Sequence, residues 1–150
     1  MKKLNGSELA KVAAMVCALA LAACGTDPEN GEHHEPEKVE LVLSGQVVAS
    51  YVASTGAWSD EMEVDVGEET AHFTVRFLDE DDEVIQGEDL SLRVDVEDES
   101  IAEWEQDKPG EFGGHLHGKS EGETDVTFNL MHGDHADFTT KPVHAHVHED

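Results

Sequence analysis

The chain has 150 residues and a formal net charge of −26, from 35 acidic and 9 basic side chains, with its 10 histidines counted as neutral. A surplus of that size excludes nucleic acid and anionic membrane surfaces as electrostatic partners, and favours cations, basic proteins or a saline habitat. Acidic surfaces with few lysines are common in salt-adapted proteins, so the bulk charge reads as habitat and mechanism must be sought in particular residues.

At the start of the chain, Lys2, Lys3 and Lys11 precede the apolar run VAAMVCALALAA, residues 12–23. This run is too short to cross a bilayer as a mature helix and has the layout of a secretory signal. It ends in Leu21-Ala22-Ala23-Cys24, followed by Gly25, and so resembles the lipobox of bacterial lipoproteins. The resemblance implies that residues 1–23 are removed, that Cys24 is acylated and that the chain is held to a membrane by lipid. Gly25 stands where enteric lipoproteins retained at the inner membrane carry aspartate, so the expectation is outer-membrane rather than inner-membrane residence. The signal holds three lysines and Glu8, so its loss takes the charge from −26 to −28. Cys17 leaves with it and Cys24 carries lipid, which leaves no disulfide and no thiolate ligand. A metal site would have to use imidazole and carboxylate, and with only Met62 and Met131 remaining a thioether Cu(I) site is disfavoured.

Residues 24–38 contain Gly, Pro, Asn and charge without apolar periodicity, and read as a flexible tether with His33 and His34 as loose metal collectors. Residues 39–150 alternate like β-strands. VELVL and QVVASYV flank a Ser44-Gly45 hairpin turn. EMEVDV presents Met62, Val64 and Val66 to one side, and AHFTVRFL turns Ala71, Phe73, Val75 and Phe77 inward with His72 outward. DLSLRVDV, SIAEWE, EFGGHLHG and TDVTFNLM follow, with a bulge expected at Gly113-Gly114. PVHAHVHE turns Val143, Ala145 and Val147 inward and its three histidines outward. No apolar stripe at i, i+3, i+4 persists for three turns, so an all-β sandwich is expected.

The segments VGEETAHFTVRFLDEDDEVI, LSLRVDVEDESIAEW and GEFGGHLHGKSEGETDVTFNL are similar to the bacterial Ig-like (group 2) domain over roughly residues 66–130, with Val143–Val147 as the last strand. The resemblance implies an Ig-like antiparallel β-sandwich of about seven strands, here with an added N-terminal hairpin. The chain departs from that family in having Asp82 where the B–C turn usually has glycine. It also carries a long, histidine-bearing insert before the last strand. Loops on a rigid sandwich carry function.

Gly113–Ser120, GGHLHGKS, fits the phosphate-loop pattern, and Gly118–Gly122, GKSEG, fits the nucleophile elbow. Both need a following helix, and EGETDVTFNL has period-two alternation instead. The matches are coincidental, and GKSEG is expected to be a hairpin turn. LDEDDE, Leu78–Glu83, lacks the glycine and distal glutamate of an EF-hand and reads as an acidic turn.

Seven of the 10 histidines lie between Gly110 and Asp150. Imidazoles at i and i+2 of a strand share a face about 7 Å apart, and three groups follow. The primary expected ligands are His132, His135 and Asp137 in the MHGDHADF loop, with His144 completing the set. His72, His115 and His117 form a second three-imidazole candidate. His144, His146 and His148 line the outer face of the last strand, which should pair with the strand leading into the loop. Such ligands suit Zn²⁺ first, then Cu²⁺ or Ni²⁺.

The expectation is therefore a lipid-anchored, extracytoplasmic, non-enzymatic module. It would bind a divalent transition-metal ion for capture, buffering or delivery to a transporter or receptor. The alternative is a structural or adhesive surface module whose histidines are merely solvated. A hydrolase with an open zinc position and an imidazole pH sensor are further readings, the former without a nucleophile in suitable context.

Overall fold

The computed structural model describes residues 35–149; Cys24, His33, His34 and the signal lie outside them. Ser44 and Gly45 have φ of 51° and 82°, the left-handed pair that a two-residue type I′ hairpin requires. They join β1 (Lys38–Leu43) to β2 (Gln46–Val52). The chain continues through β3 (Ala57–Trp58), β4 (Met62–Asp65), β5 (Phe73–Leu78), β6 (Leu90–Val96) and β7 (Ala102–Glu105). It ends with β8 (Gly113–Gly118), β9 (Gly122–His132), β10 (His135–Thr139) and β11 (Val143–His148). One sheet has the order β3-β2-β1-β5-β8-β7 and the other β10-β9-β11-β4. β9 carries β6 along one edge, and β11 then β10 along the other.

This is the expected all-β sandwich, and among the described residues its strands pair antiparallel except where β11 lies parallel to β4. Its eleven strands exceed the expectation by the short β3 and β10. The period-two pattern sets the core. Val39 and Leu41, Phe73, Val75 and Phe77, Val126, Phe128 and Leu130, and Val143, Ala145 and Val147 are all buried between the sheets. Each Val, Leu or Phe among them contributes about 1.5–3 kcal/mol on burial, and the core positions the outward-facing alternates, including the histidines.

Three local expectations are corrected. Ala71 and Val66 are exposed rather than inward, because β5 begins only at Phe73 and β4 ends at Asp65. Lys119–Glu121 does not close a hairpin. It takes the chain from β8 in one sheet to β9 in the other, with the N–H groups of Lys119 and Ser120 donating to the Ile101 carbonyl. The insert before the last strand is a β-hairpin, β9–β10, and not a loop. The departure at Asp82 also finds its reason. Its φ is +61°, a left-handed conformation that aspartate tolerates better than most residues. The turn is further tied by Asp79 Oδ1, which accepts the N–H groups of Asp81 and Glu83.

Candidate metal centres

The first cluster is built by the β9–β10 hairpin. Gly133 and Asp134 form its two-residue turn, and Gly133 takes φ of +57°, which glycine adopts at no steric cost. The turn sets His132 opposite His135, so the two imidazoles share a face, with ring centroids 5.5 Å apart. A register shift between Ala136 and Phe138 leaves Asp137 as the extra residue of a bulge, and bulges re-aim side chains. Asp137 Oδ2 lies 3.3 Å from His132 Nδ1, and its Oδ1 lies 2.9 Å from His135 Nε2. One donor atom from each residue lies within 4.8 Å of the others. The triad borders a cleft of about 650 Å³ at the end of the sandwich. Ile85, Leu90 and Leu130 supply apolar lining, and Asp79, Glu83, Glu88 and Asp89 supply carboxylates. The primary ligands read from the sequence are thus brought together, on a hairpin tip.

His144 does not join them. It pairs in register with Asp125 near the other end of β9 and sets Nδ1 2.7 Å from that carboxylate. Seven residues of strand separate Asp125 from His132, or about 23 Å at 3.3 Å per residue. The chain joins the cleft wall at Glu35, one residue after His34.

The second cluster lies where the β7–β8 loop meets the start of β5. β5 pairs with β8 through Phe73 and Gly114, which sets His72 beside His115, with ring centroids 5.2 Å apart. The His72 ring rests on Gly113, where a Cβ would come within 2.4 Å of Cε1. Two carboxylates of the loop complete the group. Asp107 Oδ2 is 3.8 Å from His72 Nε2 and 3.7 Å from His115 Nε2, and Glu111 Oε1 is 3.7 Å from His72 Nε2. His115 Nδ1 is 2.9 Å from the Thr70 carbonyl. A carbonyl only accepts, so Nδ1 carries a proton and Nε2 of the neutral ring presents its lone pair toward Asp107. That bond, opposed by partial burial and aided by Asp107 and Glu69, holds the His115 pKa above its usual value. Partial burial pushes the Glu111 carboxyl up, but N–H groups of Lys108 and Asp107, with His72, outweigh it and hold the group below its ordinary range.

His117 separates from this pair. It shares the outer face of β8 with His115, but its Nε2 sits 3.1 Å from Glu69 and 3.0 Å from Glu105. The expected three-imidazole group is therefore two imidazoles with Asp107 and Glu111, while His117 has its own carboxylate pair. Asp107 and Glu111 escaped the sequence reading because DKPGE has no periodicity. The available signal was the matched spacing of Glu103, Glu105 and Asp107 against His117 and His115 across the β7–β8 pair.

The third row is placed as expected on the outer face of β11, and β11 does pair with β9. His146 lies 2.9 Å from Glu61 and 3.2 Å from Glu123, and its ring stacks on His148 at 6.1 Å. His144 and His146 thus each meet carboxylates, while His148 stacks on His146.

No protein-family model matches the chain, and no curated protein matches it. Among solved structures it is similar to domains 4 and 5 of the S-layer protein SbsC, at 18% identity over 59% of this chain and 47% of that one, with a TM-score of 0.47. Domains 4–9 of surface layer protein SbsC match at 19% identity over 61% and 13% of the two chains, with a TM-score of 0.49. Domains 5–6 match at 19% identity over 60% and 40%, with a TM-score of 0.48. The chain thus spans less than half the length of each. At these values the likenesses carry no inference about ligand or partner.

Proposed function

We propose that this chain is a lipid-anchored, extracytoplasmic module that binds a divalent transition-metal ion at the β9–β10 hairpin. Zinc is the first choice, for capture, buffering or delivery to a membrane transporter or receptor, without catalysis. The single observation that supports this most is the His132–His135–Asp137 triad, with one donor atom of each within 4.8 Å of the others beside an acidic cleft. Two imidazoles and a carboxylate suit Zn²⁺, and Cu²⁺ or Ni²⁺ next, rather than the all-oxygen sets of Ca²⁺ and Mg²⁺. The net charge of −26 adds attraction for a cation over a range that salt shortens to about 8 Å at physiological ionic strength. The lipobox at Leu21–Cys24 supports anchoring and export.

The alternative is a structural or adhesive surface module. It is favoured by the β11 row, where His144 and His146 simply meet carboxylates on a solvated sheet face. Calorimetric titration of Zn²⁺ into the full chain separates the two. Stoichiometric binding that loses one equivalent in a His132→Ala/His135→Ala variant supports metal capture at the hairpin. Equal titrations for the variant and the wild type would mean that the hairpin histidines are merely solvated.

A further inference from the structure

Hydrogen-bonded donors hold one another, whereas donors waiting for an ion converge without touching. In the second cluster the three nitrogen–oxygen separations are 3.7, 3.7 and 3.8 Å, beyond hydrogen-bond length. Around a tetrahedral Zn²⁺ with bonds of about 2.0–2.1 Å, neighbouring ligand atoms lie about 3.3–3.4 Å apart. These three separations are therefore a few tenths of an ångström wider than in a filled site.

What keeps these donors in place acts from behind. The Thr70 carbonyl fixes the His115 ring through Nδ1. Thr70 is itself pinned to Leu116, donating its N–H to the Leu116 carbonyl and accepting the Leu116 N–H at its Oγ1. This is the outer contact that metal-binding histidines use to set tautomer and orientation. Glu111 Oε1 accepts the N–H groups of Asp107 at 2.6 Å and Lys108 at 3.2 Å, which folds the loop so that Asp107 reaches both imidazoles. Gly113 leaves room for the His72 ring and nothing larger beneath it.

We infer that His72, His115, Asp107 and Glu111 form a second transition-metal site, distinct in its residues from the hairpin triad, so that the chain carries two ions. His72, Asp107 and Glu111 offer donor atoms all within 4.8 Å of one another. His115 enters as the fourth ligand by way of the Asp107 oxygen it already faces. Two imidazoles and two carboxylates again select a Zn²⁺-like ion over Ca²⁺ or Mg²⁺. Loading has to draw in both Asp107, whose side chain is 62% exposed, and His115, which lies outside the 4.8 Å group formed by the other three.

The test counts ions. Zn²⁺ is titrated into the full chain and into three variants, His72→Ala/His115→Ala, Asp107→Asn and His132→Ala/His135→Ala, with circular dichroism confirming the sheet signal in each. Two equivalents in the wild type are expected. One should remain in each double variant, and Asp107→Asn should retain the hairpin equivalent while weakening the other at least tenfold. Asp107→Asn carries the test if His72→Ala/His115→Ala fails to fold. A wild type that binds one equivalent, lost with His132 and His135 and untouched by the loop variants, overturns the second site and leaves the hairpin reading intact. One equivalent lost only with the loop variants upholds this site and sinks the hairpin instead. No binding at all overturns both.

Discussion

The hairpin triad and the loop cluster contain the same kinds of ligand but hold them in opposite ways. In the hairpin, Asp137 contacts both imidazoles directly, at 2.9 and 3.3 Å, so the donors satisfy one another and an ion must displace those contacts. In the loop, three of the four donors are held by a group that is not a ligand: Thr70 for His115, backbone N–H groups for Glu111, the Gly113 surface for His72. An ion entering there meets groups supported from behind, with His115 and the exposed Asp107 still to close on it. Preorganisation, rather than the identity of the donors, distinguishes the two, and it is expected to show as tighter or faster loading of the loop. The hairpin offers a different advantage. His135 is 71% exposed, so an ion held there is accessible to a partner that removes it.

The largest effect that would break this comparison is expected from Gly113→Ala. The added Cβ would lie 2.4 Å from the His72 ring and 2.5 Å from the Phe73 carbonyl. Backbone cannot yield as a side-chain tip can, so overpacking should cost about 1–3 kcal/mol. It should lower Tm by several degrees in calorimetry and remove the loop equivalent of Zn²⁺ while sparing the hairpin. An unchanged Tm would mean that the glycine is not the seat of that ring.

Asp137→Asn should act the other way round. The residue sits at an exposed hairpin tip, so thermal stability should stay within about 0.5 kcal/mol. Zn²⁺ affinity at the hairpin should fall about tenfold or more, with the loop unaffected; a Tm drop without a change in affinity would identify Asp137 as a structural brace.

The smallest effect concerns the turn that supplies Asp79 and Glu83 to the hairpin cleft. Lys38 Nζ lies 2.5 Å from Asp82 Oδ1 and so ties β1 to the Leu78–Glu83 turn. The Asp82 hydrogen bond raises the Lys38 pKa, with burial opposing it and the charges of Asp82 and Glu40 assisting. A lysine whose folded pKa exceeds its unfolded one contributes stability fully below the unfolded value of 10.5 and loses it as pH rises through the folded one. Asp82 is 70% exposed, so screening limits the contribution to about 0–1 kcal/mol. Lys38→Met should show that small loss in chemical denaturation at pH 7, fading at high salt and as pH rises through the raised pKa of the lysine. A difference that persists there would point to packing of the lysine stem instead.

Much of this architecture was legible from alternation. Ser44-Gly45 marked its hairpin, and the buried positions of β5, β9 and β11 followed from period two, because one face of each strand meets the core. β10 was not legible. HADFT is short, and the bulge at Asp137 breaks the alternation that would have announced it. His132, His135 and Asp137 could be grouped because three ligands within six residues need no tertiary knowledge. Placing His144 required the strand register. β11 meets the first half of β9, and β10 occupies the second. Asp107 and Glu111 lie in a loop whose course is set by the Glu111 carboxylate and Gln106, which donates to the Leu92 and Glu111 carbonyls. No pattern in the sequence specifies those bonds.

The edges of the sheets have a consequence for how copies of this chain behave together. β3 is two residues long, β4 carries Glu63 and Asp65, β6 carries Arg93 and Asp95, β7 carries Glu103 and Glu105, and β10 carries Asp137 within a bulge. A strand from another molecule therefore finds either too short a ladder to extend or one lined with charge. Those carboxylates guard against edge-to-edge aggregation only while ionised. Acidification that protonates them should expose the unpaired backbone of β7 and β10, and turbidity on acid titration should begin before the core unfolds.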